Sequence, residues 1–434
     1  MALKRSLPSA LLLALASAAL AQSPAPPATA PADPRWQSLI ARLASDSFAD
    51  RQAAQKDLDA LTWRDHDLLK QFAESTVDPE AKSRLAARLV SLEERMAYDP
   101  PPISLDLKDA PLADVVAALE KATGEKFNDT LAVALNRAGR AGNIRPGGPT
   151  FTLSAKEQPF WEIFRDLSDQ HGLVLQPSGP TSRPGFRLAQ QEPGLHPTQI
   201  VGGVAIFANS ITRTASINLQ NRPGQQVQTP TLTFAFSAMV DPRIKLVTAQ
   251  PPRFFNVVDD AGNTLLDLPV TSELDRRAAL SASLLTRFMN NSVSLPVLEK
   301  GGKKIASAKG AIALTLQLAS DSIAIADADI KLNEPLTVGG QTILITEFTL
   351  VGTQLRYRIS VKPNQVPSAS PPPPVSMAIL DATGQEVHTV TFTGSGGGSF
   401  SSSALKPPLK LQFTAATKTK DIVIPFELKD LPLP

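Results

Sequence analysis

Apolar residues recur along this chain in two periods, and the change from one to the other marks out its parts. From residue 35 to 97 the spacing is helical. Trp36, Leu39, Ile40 and Leu43 share one face, Phe48, Leu58 and Leu61 mark a second segment, and Leu68, Leu69 and Phe72 a third. Asp78-Pro79 reads as an N-cap followed by proline at the first helical position, with Leu85, Leu89, Leu92 and Met96 pointing inward. Tyr98 and the prolines at 100–102 stop this helical segment.

A strand–helix pattern follows, and it occurs twice, once from Ile103 and again from Phe151. Ile103, Leu105 and Leu107 alternate in the first copy, and Phe151 and Leu153 in the second. Pro111 and Pro159 are expected in the first helical turn, where a missing N–H costs nothing, with Asp109 and Glu157 just before them near the positive helix end. Val115, Val116 and Leu119 form one helical stripe; Phe160, Ile163, Phe164 and Leu167 form the other. Gly124 and Gly172 stand where left-handed caps are expected.

Beyond Pro193 the period becomes two. Leu232, Phe234 and Phe236 alternate with small or polar residues, as do Ile312, Leu314, Leu316 and Leu318, and Tyr357, Ile359 and Val361. Ala378 to Leu380, Lys410 to Phe413, and Ile422, Ile424, Phe426 and Leu428 are further strand candidates, the last being read as the closing strand of a C-terminal domain. Within 271–295, Leu280, Leu284, Leu285 and Phe288 have helical spacing. The Gly/Ser tract from Gly394 to Ser403 reads as a hairpin loop or a disordered tip, and Pro371 to Pro374 as a stiff spacer.

The expected fold is therefore multidomain α+β: a small helical bundle, a repeated β-α-β module, then two β-sandwich-like domains. The expected boundaries are a signal peptide at 1–21, a Pro/Ala linker at 22–34, helices at 35–97, the module at 101–190, a β-sandwich-like domain at 195–365, a proline linker at 366–374 and a small β-domain at 375–434. The duplicated unit, with its "xxPL"-type turn at Asp109 to Leu112, resembles the STN or secretin-N domain found at the N-termini of secretins and TonB-dependent receptors. That resemblance covers about a fifth of the chain and implies a docking module of the cell envelope. The segment from Asn128 to Pro149 is longer and richer in Gly and Arg than such a loop requires. The helical segment resembles a HEAT-like repeat pair, and the whole order resembles secreted proteins of planctomycete-type bacteria.

The segment 1–21 reads as an export signal. Lys4 and Arg5 precede an apolar run from Leu11 to Leu20, and Ala19-Leu20-Ala21 supplies the small-x-small cleavage pattern. No later run approaches the ~18–20 apolar residues of a membrane span, so no integral membrane segment is expected in the mature chain. The chain has no cysteine, which leaves its stability to apolar cores. Loss of Lys4 and Arg5 lowers Lys+Arg from 43 to 41, equal to Asp+Glu, so no electrostatic footprint for nucleic acid is expected.

Candidate chemistry is sparse. His66, His171, His196 and His388 fall in four different segments without metal-ligand spacing. There is no Gly-x-Ser-x-Gly elbow and no phosphate-binding loop. Asp259, Asp260, Asn263 and Asp267, and separately Asp327 and Asp329, are candidate calcium ligands, but neither run matches a full loop and the first reads as a hairpin turn. Arg137, Arg140 and Arg145 lie among glycines as a solvated loop or an anion grip. Lys300, Lys303, Lys304 and Lys309 read as protection of a hairpin edge. Trp63 and Trp161 are expected in cores. No catalytic residue, cofactor or metal is expected. The leading expectation is an exported, non-enzymatic adaptor, periplasmic or secreted, that docks a protein partner of the cell envelope. The alternative is a carbohydrate- or surface-binding β-sandwich protein, and a hydrolase with dispersed carboxylates stands third.

Overall fold

The computed structural model describes residues 33–124, 127–128, 150–177, 186–190, 198–217, 228–269, 288–298, 300–363, 373–403 and 405–434. The chain divides into two units, 1–92 and 93–434. The signal peptide, most of the Pro/Ala linker, His196 and the Arg137–Arg145 loop lie outside the described residues.

The first unit is built on α1 (Pro34–Leu43), α2 (Phe48–Asp59), α3 (His66–Ser75) and the start of α4 (Pro79–Met96). Asp78 caps α4 as the sequence predicts, accepting from Ala81 N at 2.7 Å, and Asp33 caps α1 in the same way, accepting from Arg35 N at 2.9 Å. Trp36 stacks on Phe72 with centroids 5.1 Å apart, and Leu39, Leu43, Leu58, Leu69 and Leu85 are buried in the same unit. Trp63, expected in a core, and Phe48, which marks the second helical segment, both lie outside the core. Phe48 is 72% exposed, because it opens α2 at about 120° round the helix from the buried Ala54. Trp63 is half-buried in a short 3₁₀ turn with the Arg64 guanidinium 5.2 Å over its ring.

In the second unit the duplicated module comes first. β1 (Ile103–Pro111) leads into α5 (Leu112–Thr123) and β2 (Phe127–Asn128). β3 (Thr150–Gln158) leads into α6 (Phe160–His171), β4 (Leu173–Pro177) and β5 (Phe186–Gln190). The copies face each other across β1 and β3, which pair antiparallel with Leu105 opposite Ala155 and Leu107 opposite Leu153. Leu105 corresponds to Leu153 in the repeat and Leu107 to Ala155, so exchanging the copies turns one pair into the other and the ladder has an approximate two-fold. The backbone repeats as well: Asp109 and Glu157 both take positive φ, at 47° and 50°, and Gly124 and Gly172 cap the helices at 71° and 66°. Asp109 N donates to Thr152 Oγ1 at 3.0 Å, and Glu157 N donates to the matching Ser104 Oγ at 2.9 Å. Pro111 and Pro159 stand at the N-caps, just ahead of the expected first turn.

The rest of the unit is two β-sandwiches. The first has β6 (Gln199–Val201), β7 (Val204–Ile217), β8 (Gln228–Val240), β9 (Leu246–Ala249), β10 (Arg253–Asp259), β11 (Thr264–Asp267), β12 (Phe288–Pro296) and β13 (Lys304–Ala326). The second has β14 (Pro335–Val338), β15 (Gln341–Val351), β16 (Gln354–Pro363), β17 (Val375–Leu380), β18 (Glu386–Phe392), β19 (Gly396–Ser401) and β20 (Lys410–Pro432). One face of the first sandwich runs β12-β8-β7-β6, and one face of the second runs β19-β16-β15-β14. The other faces are continuous with each other, in the order β11-β10-β13-β20-β17-β18. β13 and β20 pair antiparallel along their whole length, from Lys304 opposite Pro432 to Ala326 opposite Lys410.

The sandwiches are tandem copies. Val-Gly-Gly turns at 201–203 and 338–340 join β6 to β7 and β14 to β15. The β7–β8 ladder slips between Ala208 and Ser210, and the β15–β16 ladder slips at the same distance past its own turn, between Ile345 and Glu347. Asp259 and Asp381 open matching hairpin turns in which Gly262 and Gly384 take φ of 83° and 80°.

Several boundaries differ from expectation. The predicted linker at 366–374 falls between β16 and β17, whose side chains share one core (Tyr357 and Ile359 with Met377 and Ile379). The strand carrying Ile424, Phe426 and Leu428 fills the first sandwich, packing with Phe234, Phe254 and Ile312. Phe288 opens β12, a strand with Met289 and Leu295 buried, so the predicted helix does not extend into 288–295; Leu280, Leu284 and Leu285 lie outside the described residues. The Gly/Ser tract is strand β19, admitted beside β16 because a Cβ on Gly397 would stand 2.7 Å from Tyr357 O. Lys304 lies on an interior strand, ion-paired to Asp430, so the lysine group does not guard an edge.

Because Phe426 belongs to the first sandwich, Phe426→Ala is expected to cost about 3–5 kcal/mol. Hydrogen exchange checks its place: protection falls in β8, β10 and β13 more than in β15 and β16.

Candidate functional site

A concavity lies where the module meets the first sandwich. It holds about 170 Å³ and is bounded by Glu157, Pro159, Phe160, Gly202, Asp241 and Arg243, with the strap at 99–102 across it.

Its centre is Gly203. Gly203 N donates to Tyr98 O at 3.1 Å, and Gly203 O accepts from Asp241 N at 2.7 Å and from Trp161 Nε1 at 3.1 Å. Strap, sandwich and module are thus tied to one residue's backbone. A Cβ there would lie 2.4 Å from Ile244 Cδ1 and 2.9 Å from Tyr98 O, so no larger residue fits. Asp241 follows β8 with its carboxylate buried. It accepts from Arg243 N at 2.9 Å, Nε at 3.0 Å and Nη2 at 2.7 Å. Arg243 Nη1 in turn donates to Pro101 O. The guanidinium satisfies the buried carboxylate and holds the strap down.

Behind this network the module and the sandwich share apolar packing. Val204, Ile206, Ala238 and Val240 point into the sandwich. Ala205, Phe207 and Met239, on the opposite face of the same strands, pack with the module core. Trp161 meets Phe207 edge-on at 6.5 Å and Phe160 at 5.1 Å. Trp161 is therefore a core residue, as expected, and its core spans two domains. Asp241 is committed to Arg243, and Asp99 lies 3.8 Å from Arg95. The arrangement is chemically that of a structural joint.

The residues singled out in the sequence do not converge here. His66 Nδ1 lies 2.9 Å from Asp67. His171 ends α6 beside Phe151, at 5.0 Å. His388 stacks on Phe400 at 4.0 Å; desolvation lowers its pKa, with Glu386 opposing. Among the described residues no three His, Asp or Glu side chains gather as a metal site. None of the described helices is long and apolar enough to cross a membrane.

The two acidic runs act as clips. Asp259 Oδ1 accepts from Ala261 N at 3.0 Å and Asn263 N at 2.7 Å; Oδ2 accepts from Asn263 Nδ2 at 2.8 Å and Gly302 N at 2.7 Å. Asp260 Oδ1 accepts from Lys303 N and Lys304 N at 2.8 and 3.2 Å. Calcium needs a shell of converging oxygens, whereas these oxygens are taken up by N–H donors that hold the 300–304 loop. Asp267 lies in β11 opposite Asn256. Asp327 joins Leu409 by a reciprocal pair, Asp327 N to Leu409 O at 2.9 Å and Leu409 N to Asp327 Oδ2 at 3.1 Å, while Asp329 ends the adjoining 3₁₀ turn.

Sequence reading missed Gly203, Asp241 and Arg243. The available signal was the recurrence of Val-Gly-Gly at 201–203 and 338–340, together with an Asp-Pro-Arg triplet ending an apolar strand.

Two outcomes are expected. Arg243→Ala strands a buried carboxylate and lowers stability by about 3–5 kcal/mol in urea unfolding. For Asp259, burial raises the pKa, but the N–H donors outweigh it and hold the carboxyl below its ordinary 3.8. A depressed acid stabilises the fold above its unfolded pKa and loses that contribution as pH falls through the folded value. The gap in urea midpoint between the protein and Asp259→Ala is therefore full at neutral pH and shrinks below about pH 4. Comparison of the chain with protein-family models, with curated proteins and with solved structures gives no match.

Proposed function

We propose that this chain is an exported, non-enzymatic adaptor of the bacterial cell envelope, which docks a protein partner through the module at 101–190. The observation that supports this is the joint. The module is fixed to the first sandwich through a shared core and the Gly203 hydrogen bonds. Its outward strand face, Ser104, Asp106, Lys108, Thr152, Ser154 and Lys156, stays exposed. A polar surface on a preorganised support loses little freedom on binding, which favours affinity. The resemblance of the strand–helix repeat to STN or secretin-N domains supports the envelope setting, as does the signal-like segment at 1–21. Tandem sandwiches provide the support behind the module.

In-cell crosslinking of the full-length, C-terminally tagged protein, read by mass spectrometry, tests this. The expected outcome is reproducible capture of an envelope protein through residues 101–190, reduced by Lys108→Glu with Lys156→Glu. Capture only through the sandwiches, or no reproducible capture, overturns the reading.

A further inference from the structure

We infer that the outer face of the β14-β15-β16-β19 sheet binds an acidic polysaccharide, an activity that goes beyond the adaptor reading. Along β16, Leu355, Tyr357, Ile359 and Val361 are buried, and the alternate residues Arg356, Arg358, Ser360 and Lys362 face outward. Residues two apart on a strand are separated by about 7 Å, so the cations form a straight stripe. The register places Thr342, Glu347 and Thr349 beside them on β15, and Gly397 and Ser399 on β19. The described face thus carries three cations against one carboxylate; its other groups are hydroxyls, Gly397 and two apolar side chains, Leu344 opposite Ser360 and the exposed Val351 at its end. Gly397 keeps the approach to Arg358 low, since a Cβ there would meet Arg358 Cα at 3.2 Å.

The duplicated sandwich gives this face a reference. Aligned on the Gly-Gly turns and the shared ladder slip, Arg356, Arg358 and Lys362 occupy the places of Thr233, Ala235 and Met239. In the first sandwich that face is the platform on which the module sits. The place of Met239, which packs against the module in the first copy, is taken by Lys362 in the second, and those of Thr233 and Ala235 by Arg356 and Arg358, while the place of Phe207 stays apolar as Leu344. Guanidinium groups match carboxylates in a two-pronged geometry. The interleaved Ser and Thr hydroxyls suit a polymer that alternates carboxylates with ring hydroxyls. An acidic peptide is favoured by an open strand edge or an apolar pocket, whereas the cations here stand on the face of the sheet, flanked by hydroxyls and glycine at Thr342, Thr349, Gly397 and Ser399.

The test is binding of full-length protein to polygalacturonate, with dextran as the neutral control, at about 0.01 M and about 1 M salt, where the screening length is about 30 Å and 3 Å. The expected result is binding to polygalacturonate alone, abolished at high salt. Arg356→Ala/Arg358→Ala/Lys362→Ala is expected to weaken it about tenfold or more, the combined effect of three exposed charge contacts. These side chains are exposed, so an unchanged thermal midpoint verifies folding. Lys70→Ala/Lys82→Ala/Lys406→Ala removes the same charge elsewhere and is expected to bind as the parent does. No binding, equal loss in both triple variants, or preference for single-stranded DNA or an acidic peptide overturns the proposal.

Discussion

The second unit depends on the pairing of β13 with β20. Each is the last strand of its own sandwich, and each continues into the other. The first half of β13 lies beside β10 in the first sandwich, and its second half borders β20 in the second. The first half of β20 lies beside β17, and its second half delivers Ile424, Phe426, Leu428 and Leu431 to the first core. Each sandwich is therefore completed by a strand that its neighbour supplies. Backbone hydrogen bonding and core filling are satisfied together in the step that forms this ladder. Partners such as Ile312 and Ile424 are far apart in sequence, so this step closes large loops and is expected to be slow relative to the local strand–helix pairs of the module.

Two approximate two-folds of different scale organise the unit. In the module, Ser104 and Thr152 cap the backbone at Glu157 and Asp109, so the two copies stabilise each other's positive-φ turns. Between the sandwiches the relation runs through the β13–β20 ladder. The copies then diverge at one surface. Phe207 and Met239 make the first sheet's outer face a core boundary for the module, while Leu344 and Lys362 hold the corresponding places in the second. Duplication preserved the turns and the ladder slip, which are backbone requirements. It left the outward positions free to change, because they carry no part of the internal core.

This division also explains what could be read from the sequence. The helix cap at Asp78, the αL glycines at 124 and 172, and the alternation in β8, β13 and β16 are local signals, and the structure agrees with them. The strand at 422–428 was legible as a strand, but its sandwich was not, since alternation fixes a face without naming the partner. β19 was illegible because Gly-Gly-Gly-Ser-Phe-Ser has no apolar alternation; it becomes a strand only beside Tyr357 and Arg358. Phe48 and Trp63 misled in the other direction, because hydrophobic type alone does not set the angle round a helix. The joint at Gly203 was hidden for a similar reason. Its hydrogen bonds join positions 98, 161, 203 and 241, and only the folded backbone brings them together.

The joint carries a further implication for how the module works. An Asp–Arg pair buried beside a glycine that admits no Cβ is a poor hinge, because movement at the strap would expose an unpaired carboxylate and break the hydrogen bonds that converge on Gly203. A mobile connection would use a longer polar linker with few crossing contacts. Here the strap at 98–102 is short, proline-rich and anchored at both Tyr98 and Pro101. The module and the first sandwich therefore behave as one body. On the proposed adaptor reading, a partner docked on the module is held in a fixed orientation to the sheet behind it, and specificity comes from the outward side chains of β1 and β3 rather than from closure of the cleft.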